Sequence, residues 1–364
     1  MTVPFVDLPA LVRPSRDEYL AAFAKILDTG GFIGGAAVAE FERAFASFTG
    51  AKHAISVNTG TDALVLALRA YGIGPGDEVI TAANSFYATA EAISLVGATP
   101  VLADVHDDTL LIDPDDVRRR ITAKTKCVIP VHLFGQICDM AAIRKLGVRV
   151  LDDAAQAHGA TRGGWTAGSI SEATAFSFYP TKNLGALGEG GAITTNDDAI
   201  ARQLVQLRDH GQAAKHDHVV VGYNARLDAL QCACLTISLK RLAERNEARR
   251  RLAAAYVERL AGLPVKLVAE AADSKPVYHL FVIRVDAHRR DRVRDRLASA
   301  GISTAIHYPT PIHLQRAYAS LGQGQGSCPV AERAANEMIS LPMYPDLTMA
   351  QIDEVVAALR AALV

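Results

Sequence analysis

Short β-branched runs alternate with helical segments over the first two-thirds of the chain. His53–Asn58, Glu78–Ala83, Pro100–Val105, Lys126–Leu133 and Val148–Asp152 read as strands. Asp62–Tyr71, Phe86–Val96 and Asp197–Arg208 read as helices, with Asn196 placed to cap the last. Gly-Pro-Gly-Asp (74–77) is a turn between helix and strand. This alternation predicts an α/β fold, a mostly parallel sheet with helical crossovers. From Leu227 to about Ala261 the pattern predicts one long helix, whose Arg and Lys side chains form a solvated face. Val277–Val285 then alternates as a strand, Asp291–Ala300 is helical, and Ser340–Met343 follows a further helix. The expected organisation is a large domain over 1–240 and a smaller α+β C-terminal domain over 241–364.

Half the residues are hydrophobic and the net charge is −1, so nothing favours nucleic acid or an anionic membrane as partner. No uncharged apolar run is long enough to span a bilayer. The first residues, Met-Thr-Val-Pro-Phe-Val-Asp-Leu, do not have the pattern of a signal peptide. Five cysteines are scattered without a CxxC pair, which fits a reducing cytoplasm and predicts no metal site.

Two residues carry most of the chemical information. Asp153 ends the apolar run Val-Arg-Val-Leu-Asp-Asp (148–153). Lys182 ends a second run, Ala-Phe-Ser-Phe-Tyr-Pro-Thr-Lys (175–182), and opens a glycine-rich loop, Asn-Leu-Gly-Ala-Leu-Gly-Glu-Gly-Gly (183–191). A lysine and a carboxylate at the ends of neighbouring strands are what a pyridoxal phosphate (PLP) enzyme needs. The lysine forms the Schiff base, and the carboxylate keeps the pyridine nitrogen protonated. The segment Asp152-Asp-Ala-Ala-Gln-Ala-His-Gly is a poor core sequence, and its alanines leave room for a flat ring. Gln156 can reach the ring hydroxyl, while Asp152 points to the other side of the strand in a structural role. The turn Thr59-Gly60-Thr61 hands a strand to a helix, where unpaired N–H groups suit a phosphate. Asp62 reads as a capping acid there. Ser177 can complete the phosphate cup, and Phe86 can stack on the ring or simply pack in the core.

With these residues in view, the chain resembles the nucleotide-sugar aminotransferases of the DegT/DnrJ/StrS type, in the aspartate aminotransferase fold. The resemblance rests on seven blocks in order: Phe32-Ile-Gly-Gly, Asn58-Thr-Gly-Thr-Asp-Ala-Leu, the Asp152 segment, Ser177-Phe-Tyr-Pro-Thr-Lys-Asn-Leu-Gly with its glycine loop, Gly222-Tyr-Asn-Ala-Arg-Leu-Asp, His307-Tyr-Pro-Thr-Pro-Ile-His-Leu-Gln and Ser340-Leu-Pro-Met-Tyr-Pro. It implies catalysis by Lys182 and Asp153. It implies cofactor contacts from Gly60, Thr61, Phe86, Gln156, Ser177 and Asn224. Asn224 would reach the phosphate from the other subunit of a homodimer. The loop holding His307, Tyr308 and His313 would border the sugar-nucleotide site, and so would Tyr179. Arg226 reads as structural, paired with Asp228 or another acid.

Members with histidine at the lysine position dehydrate; Lys182 implies transamination. The run Thr-Lys-Asn-Leu-Gly-Ala-Leu-Gly resembles enzymes that aminate C3 of a 3-keto-6-deoxy sugar, with dTDP as the expected nucleotide and L-glutamate as donor. Glu189 and Tyr179 depart from residues common in that subgroup. A 4-keto sugar or a keto-cyclitol is the alternative substrate, and a non-catalytic PLP-binding regulatory protein is the alternative class.

Overall fold

The structure is a computed structural model describing residues 2–364. Seven strands form the central sheet: β1 (His53–Val57), β2 (Glu78–Ala82), β3 (Thr99–Ala103), β4 (Thr125–Ile129), β5 (Arg149–Asp153), β6 (Ala173–Ser177) and β7 (Gly191–Thr195). Their order across the sheet is β1-β7-β6-β5-β4-β2-β3. The pairings among β2 to β6 are parallel, and β7 runs antiparallel to both β6 and β1. Helices cover both faces, so the strands read as nearly continuous apolar runs. Adjacent residues enter opposite cores: Val79 and Leu151 pack on one side, Ile80 and Val150 on the other.

Helices α1 (Gly60–Ala70) and α2 (Tyr87–Leu95) are crossovers of this layer, and α3 (Asp198–Arg208) follows its last strand. Thr59 caps α1: its hydroxyl accepts from the Asp62 N–H at 2.9 Å and donates to the Asp62 carboxylate at 3.0 Å. Asp62 is thus turned back on the cap, away from any anion. The cap of α3 is Asp197, one residue later than expected, accepting from the N–H groups of Ala199 and Ile200. Asn196 instead accepts from the Lys52 N–H at 2.8 Å, pinning the start of β1.

The long helix expected from Leu227 is two helices, α4 (Ala229–Leu239) and α5 (Leu242–Leu260). The N–H groups of Lys240 and Arg241 both turn to the Ser238 carbonyl and break the ladder. The hydrophobic pattern continued through the bend because both helices bury a face, so periodicity alone could not show the break.

Strands β8 (Lys266–Leu267), β9 (Phe281–Arg284) and β10 (Met338–Leu341) make an antiparallel sheet with its own core, including Tyr256, Phe281, Ile339 and Val355. Helix α6 (Pro329–Glu337) leads into β10. The strand expected over Val277–Val285 is shorter, because Tyr278 adopts a positive φ of 44° that ordinary residues rarely take. All five cysteines are buried and unpaired. Among the described residues no helix is long and apolar enough to cross a membrane.

Candidate active site

The carboxyl ends of β1, β2, β5 and β6 open on a cavity of about 600 Å³. Ligand sites of open α/β sheets lie at this edge. The parallel register of β5 and β6, with Asp153 opposite Ala175, brings Asp153 beside the strand that runs on to Ser177 and Lys182.

Asp153 is 6% exposed. Thr89 donates to its Oδ2 at 2.8 Å and the Ala155 N–H to its Oδ1 at 3.1 Å. Ser85 Oγ lies 2.7 Å from the Thr89 hydroxyl. Because Thr89 gives its one proton to Asp153, Ser85 must donate to Thr89. Burial lifts the Asp153 pKa above the usual carboxylate range, against those hydrogen bonds and the Lys182 charge. Lys182 follows a turn closed by its own N–H to the Tyr179 carbonyl at 2.8 Å. Its amine makes no hydrogen bond or ion pair among the described residues, and burial pushes its pKa down to about 8 against the pull of Asp153.

At the other end of the cavity, Gly60 and Thr61 begin α1 beside Ser177. A Cβ on Gly60 would lie 2.5 Å from the Ser177 Cβ, so only glycine lets helix and strand approach this closely. Phe86 is 56% exposed and lines the cavity, with its ring 5.4 Å from that of Tyr308. The Gln156 Oε1 is occupied by the Phe134 N–H at 2.7 Å, which turns its Nε2 toward the Tyr308 hydroxyl at 3.3 Å. Tyr179, His307 and Tyr308 also line the cavity. The His307 Nδ1 is 2.8 Å from the Ser340 hydroxyl, and burial with the nearby Lys182 pushes its pKa down to about 4.

The family model described as the DegT/DnrJ/EryC1/StrS aminotransferase family matches residues 14–360. The chain belongs to this aminotransferase family. It is 45% identical to the dTDP-3-amino-3,4,6-trideoxy-alpha-D-glucose transaminase of Streptomyces venezuelae, covering 98% of this chain and 95% of that protein. It is 44% identical to the UDP-N-acetyl-3-dehydro-alpha-D-glucosamine 3-aminotransferase of Acidithiobacillus ferrooxidans, covering 99% and 98%. The solved structure of S. venezuelae DesV in complex with a ketimine intermediate superposes with a TM-score of 0.97 at 45% identity, covering 100% of this chain and 98% of that one. The α/β aspartate aminotransferase fold expected from the sequence is therefore the fold of this protein, and its cofactor is PLP.

The aminotransferase's own residues fit that cofactor. Asp153 is a buried carboxylate that makes no ion pair among the described residues, although the Lys182 and His132 charges act on it, and a pyridinium N–H would be a direct partner. The N-terminus of the eleven-residue α1, with the Ser177 hydroxyl, suits a phosphate dianion. No group of three or more His, Cys, Asp or Glu could hold a metal ion among the described residues.

One expected contact is not brought to the cavity. His313 is 2% exposed, and its Nε2 meets the Glu332 carboxylate at 2.9 Å. The 3₁₀ turn Ile312–Leu314 faces it inward onto α6, where it ties the loop down away from the cavity lining. Arg226 pairs with Asp209, not Asp228, which caps α4. Asp152 accepts from the Ser171 and Thr174 hydroxyls behind the strand. Wall residues not singled out from the sequence include Thr89, early in a mostly apolar helix, and His279, within the strand expected over Val277–Val285.

Proposed function

We propose that this enzyme transfers the amino group of L-glutamate to C3 of a dTDP-linked 3-keto-6-deoxyhexose. The carrying observation is the pair on one cavity wall: an amine on Lys182 without a hydrogen bond and a buried carboxylate on Asp153 without a direct ion pair, each acting on the other's charge. Amination at C3 is supported by the Thr181-Lys-Asn-Leu-Gly-Ala-Leu-Gly run and by the two relatives, both named for a 3-amino or 3-keto position. Bound PLP supplies the electron sink that side chains lack. Asp153 would hold the proton on the ring nitrogen, Gln156 Nε2 would donate to the ring hydroxyl, and Phe86 would pack on the ring face. Gly60, Thr61 and Ser177 would hold the phosphate. Lys182 Nζ would take the α-proton from the amino donor and deliver it to the cofactor side within the same half-reaction, and the acceptor half-reaction would run the same two transfers in reverse. A pKa near 8 leaves a usable share of free amine at neutral pH. Tyr179, His307 and Tyr308 border the space left for the sugar.

The active unit in this reading is a homodimer, with Asn224 reaching the phosphate of a second copy. Asn224 is exposed and off the wall of its own chain's cavity. Exposed apolar side chains on the same stretch support a covered face: Val221, three residues before it, is 94% exposed, and Ile33, bridged to Asp228, is 58% exposed.

The test is spectroscopic. Purified protein with PLP should be yellow, and L-glutamate alone should bleach it. A panel of nucleotide-linked 3-keto and 4-keto sugars and a keto-cyclitol then identifies which acceptor restores the colour. Restoration by a 4-keto sugar but no 3-keto sugar would reverse the C3 assignment. Light scattering decides the dimer.

A further inference from the structure

Arg249 and Arg284 are both almost fully buried, but their surroundings differ. Arg284 is 3% exposed, and its guanidinium meets the Glu337 carboxylate at 2.7 Å and the Asp107 carboxylate at 2.9 Å. Arg249 is 2% exposed and makes no ion pair among the described residues. Its Nη1 donates to the Tyr278 and Met343 carbonyls, each at 3.0 Å. Its Nε is buried without a partner, and Nη2, on the same edge of the guanidinium, has no hydrogen bond among the described residues. A buried charge is costly unless it is paired. Burial and the nearby Arg245 charge push the Arg249 pKa down to about 10, which still leaves a cation at neutral pH.

Arg249 lines a second cavity, of about 290 Å³. Ligand pockets begin at roughly 300 Å³. Lys182 lines both cavities, and the turn that follows it walls this one, with the helix Leu8–Val12 also on the wall. The charged side chains lining it are Lys182, Arg245 and Arg249, with no carboxylate among the described residues. Arg245 stands one turn before Arg249 on α5 and is half-buried. Its Nη2 donates to the Leu11 carbonyl at 2.7 Å, and it too makes no ion pair among the described residues. Asp346, the acid that acts on Arg249, is exposed and off this wall. The Tyr19 and Ser238 hydroxyls, also on the wall, lie 2.8 Å apart. One donates to the other, so one proton of the pair is left over.

We propose that this cavity is an anion site adjoining the catalytic one: it holds a small oxyanion, a carboxylate or a phosphate, between the unpaired edge of Arg249 and the Arg245 guanidinium. Such a group offers several oxygens, so it can face both arginines at once. A halide offers a single centre. The anion would do for Arg249 what Glu337 does for Arg284. The two backbone carbonyls on Nη1 hold the guanidinium in place before the anion arrives. In the PLP-loaded enzyme Lys182 is engaged by the cofactor, so the two arginines carry the site. A bound anion would also tie the helix Leu8–Val12 to α5, because Arg245 already holds the Leu11 carbonyl.

The test uses the PLP-loaded enzyme, in which the cofactor's own phosphate fills the start of α1. Equilibrium dialysis with radiolabelled inorganic phosphate, and in a second arm with radiolabelled acetate, is run at constant ionic strength set by chloride. Saturable binding in at least one arm is expected, and the arm that saturates tells phosphate from carboxylate. Arg249→Lys keeps a cation and a donor for the carbonyls but loses the planar edge. Arg245→Gln removes the second cation at a half-buried position. Each should weaken binding at least about tenfold, the loss of one hydrogen bond to a charged group. The urea midpoint should rise with the bound ion in the wild type and stay flat in both variants. No saturable binding of either ion to the wild type overturns the proposal. Unchanged binding in either variant overturns it as well, because the ion then sits elsewhere, such as in the space left for the sugar nucleotide. If Arg249→Lys does not fold, Arg245→Gln decides.

Discussion

Replacing Thr89 by valine removes one hydroxyl and almost no volume. The site is 1% exposed, and the lost group is the 2.8 Å donor to Asp153 Oδ2. A hydrogen bond to a charged group contributes about 1.5–3 kcal/mol. At about 1.4 kcal/mol per tenfold, this is roughly a 10- to 150-fold effect. The direction follows from burial, which already lifts the Asp153 pKa; losing a donor lifts it further. A carboxylate more easily protonated holds a pyridinium less firmly. The loss should appear in PLP affinity of the apoprotein and in the rate of the glutamate half-reaction. Thr89→Ser keeps the hydroxyl and should stay near wild type. Ser85 would lose its acceptor at 2.7 Å in the valine variant but not in the serine variant. Affinity and rate both within about twofold of wild type in Thr89→Val would show that this bond does not tune Asp153.

Lys182→Ala should abolish transamination while the circular dichroism spectrum stays native; measurable turnover would remove Lys182 from the chemistry. Gly60→Ala forces a Cβ to 2.5 Å from Ser177 and should cost about 1–3 kcal/mol in urea unfolding while weakening PLP binding. A fully stable variant with normal affinity would mean the helix shifts freely. The apoprotein should lose stability as pH falls from about 6.5 to 5. Histidine contributions come from His158, pushed down to about 3, His307, pushed down to about 4, and His279, pushed well down, all mainly by burial. All three stay neutral when folded but charge once unfolded, so the unfolded chain binds more protons. Each contributes a slope of about 1.4 kcal/mol per pH unit in that window, and equal unfolding midpoints at both pH values would contradict their neutral state.

What the sequence showed of the site was what strand ends make visible. Asp153 and Ser177 lie at the ends of paired strands, Lys182 follows directly, and Gly60–Thr61 opens a helix whose cap is one residue away. Such residues interrupt apolar runs, and the interruption can be read. Thr89 could not be read this way, because one threonine inside an apolar helix has many ordinary explanations. His279 was hidden by an alternation that Tyr278's backbone conformation breaks. His313 failed for the opposite reason. It shares a motif with His307 and Tyr308, but the intervening 3₁₀ turn sends it to Glu332. Order along the chain places a loop, while local dihedral angles decide which of its side chains face the cavity.

The same physics weakens the charges of the buried groups that face the cavity. Burial pushes Lys182 down and Asp153 up, each toward its neutral form. His307 and His279 are pushed down as well. Behind the wall, neither ring nitrogen of His158 has a partner, and its ring lies 5.3 Å from that of Phe176. A cavity arranged in this way favours a ligand that brings its own charges to fixed places: a cation facing Asp153 and an anion at the start of α1. Those two sites lie on different strands, β5 and the turn after β1, so a ligand matching both ties the middle of the sheet to its edge. Its binding energy is then also folding energy, about 2.7 kcal/mol when ligand exceeds its dissociation constant a hundredfold. Pyridoxal, which lacks the phosphate, meets only one of the two sites. The stability it confers should fall short of that conferred by PLP by the share that α1 and Ser177 supply, and the Gly60→Ala variant should narrow that difference.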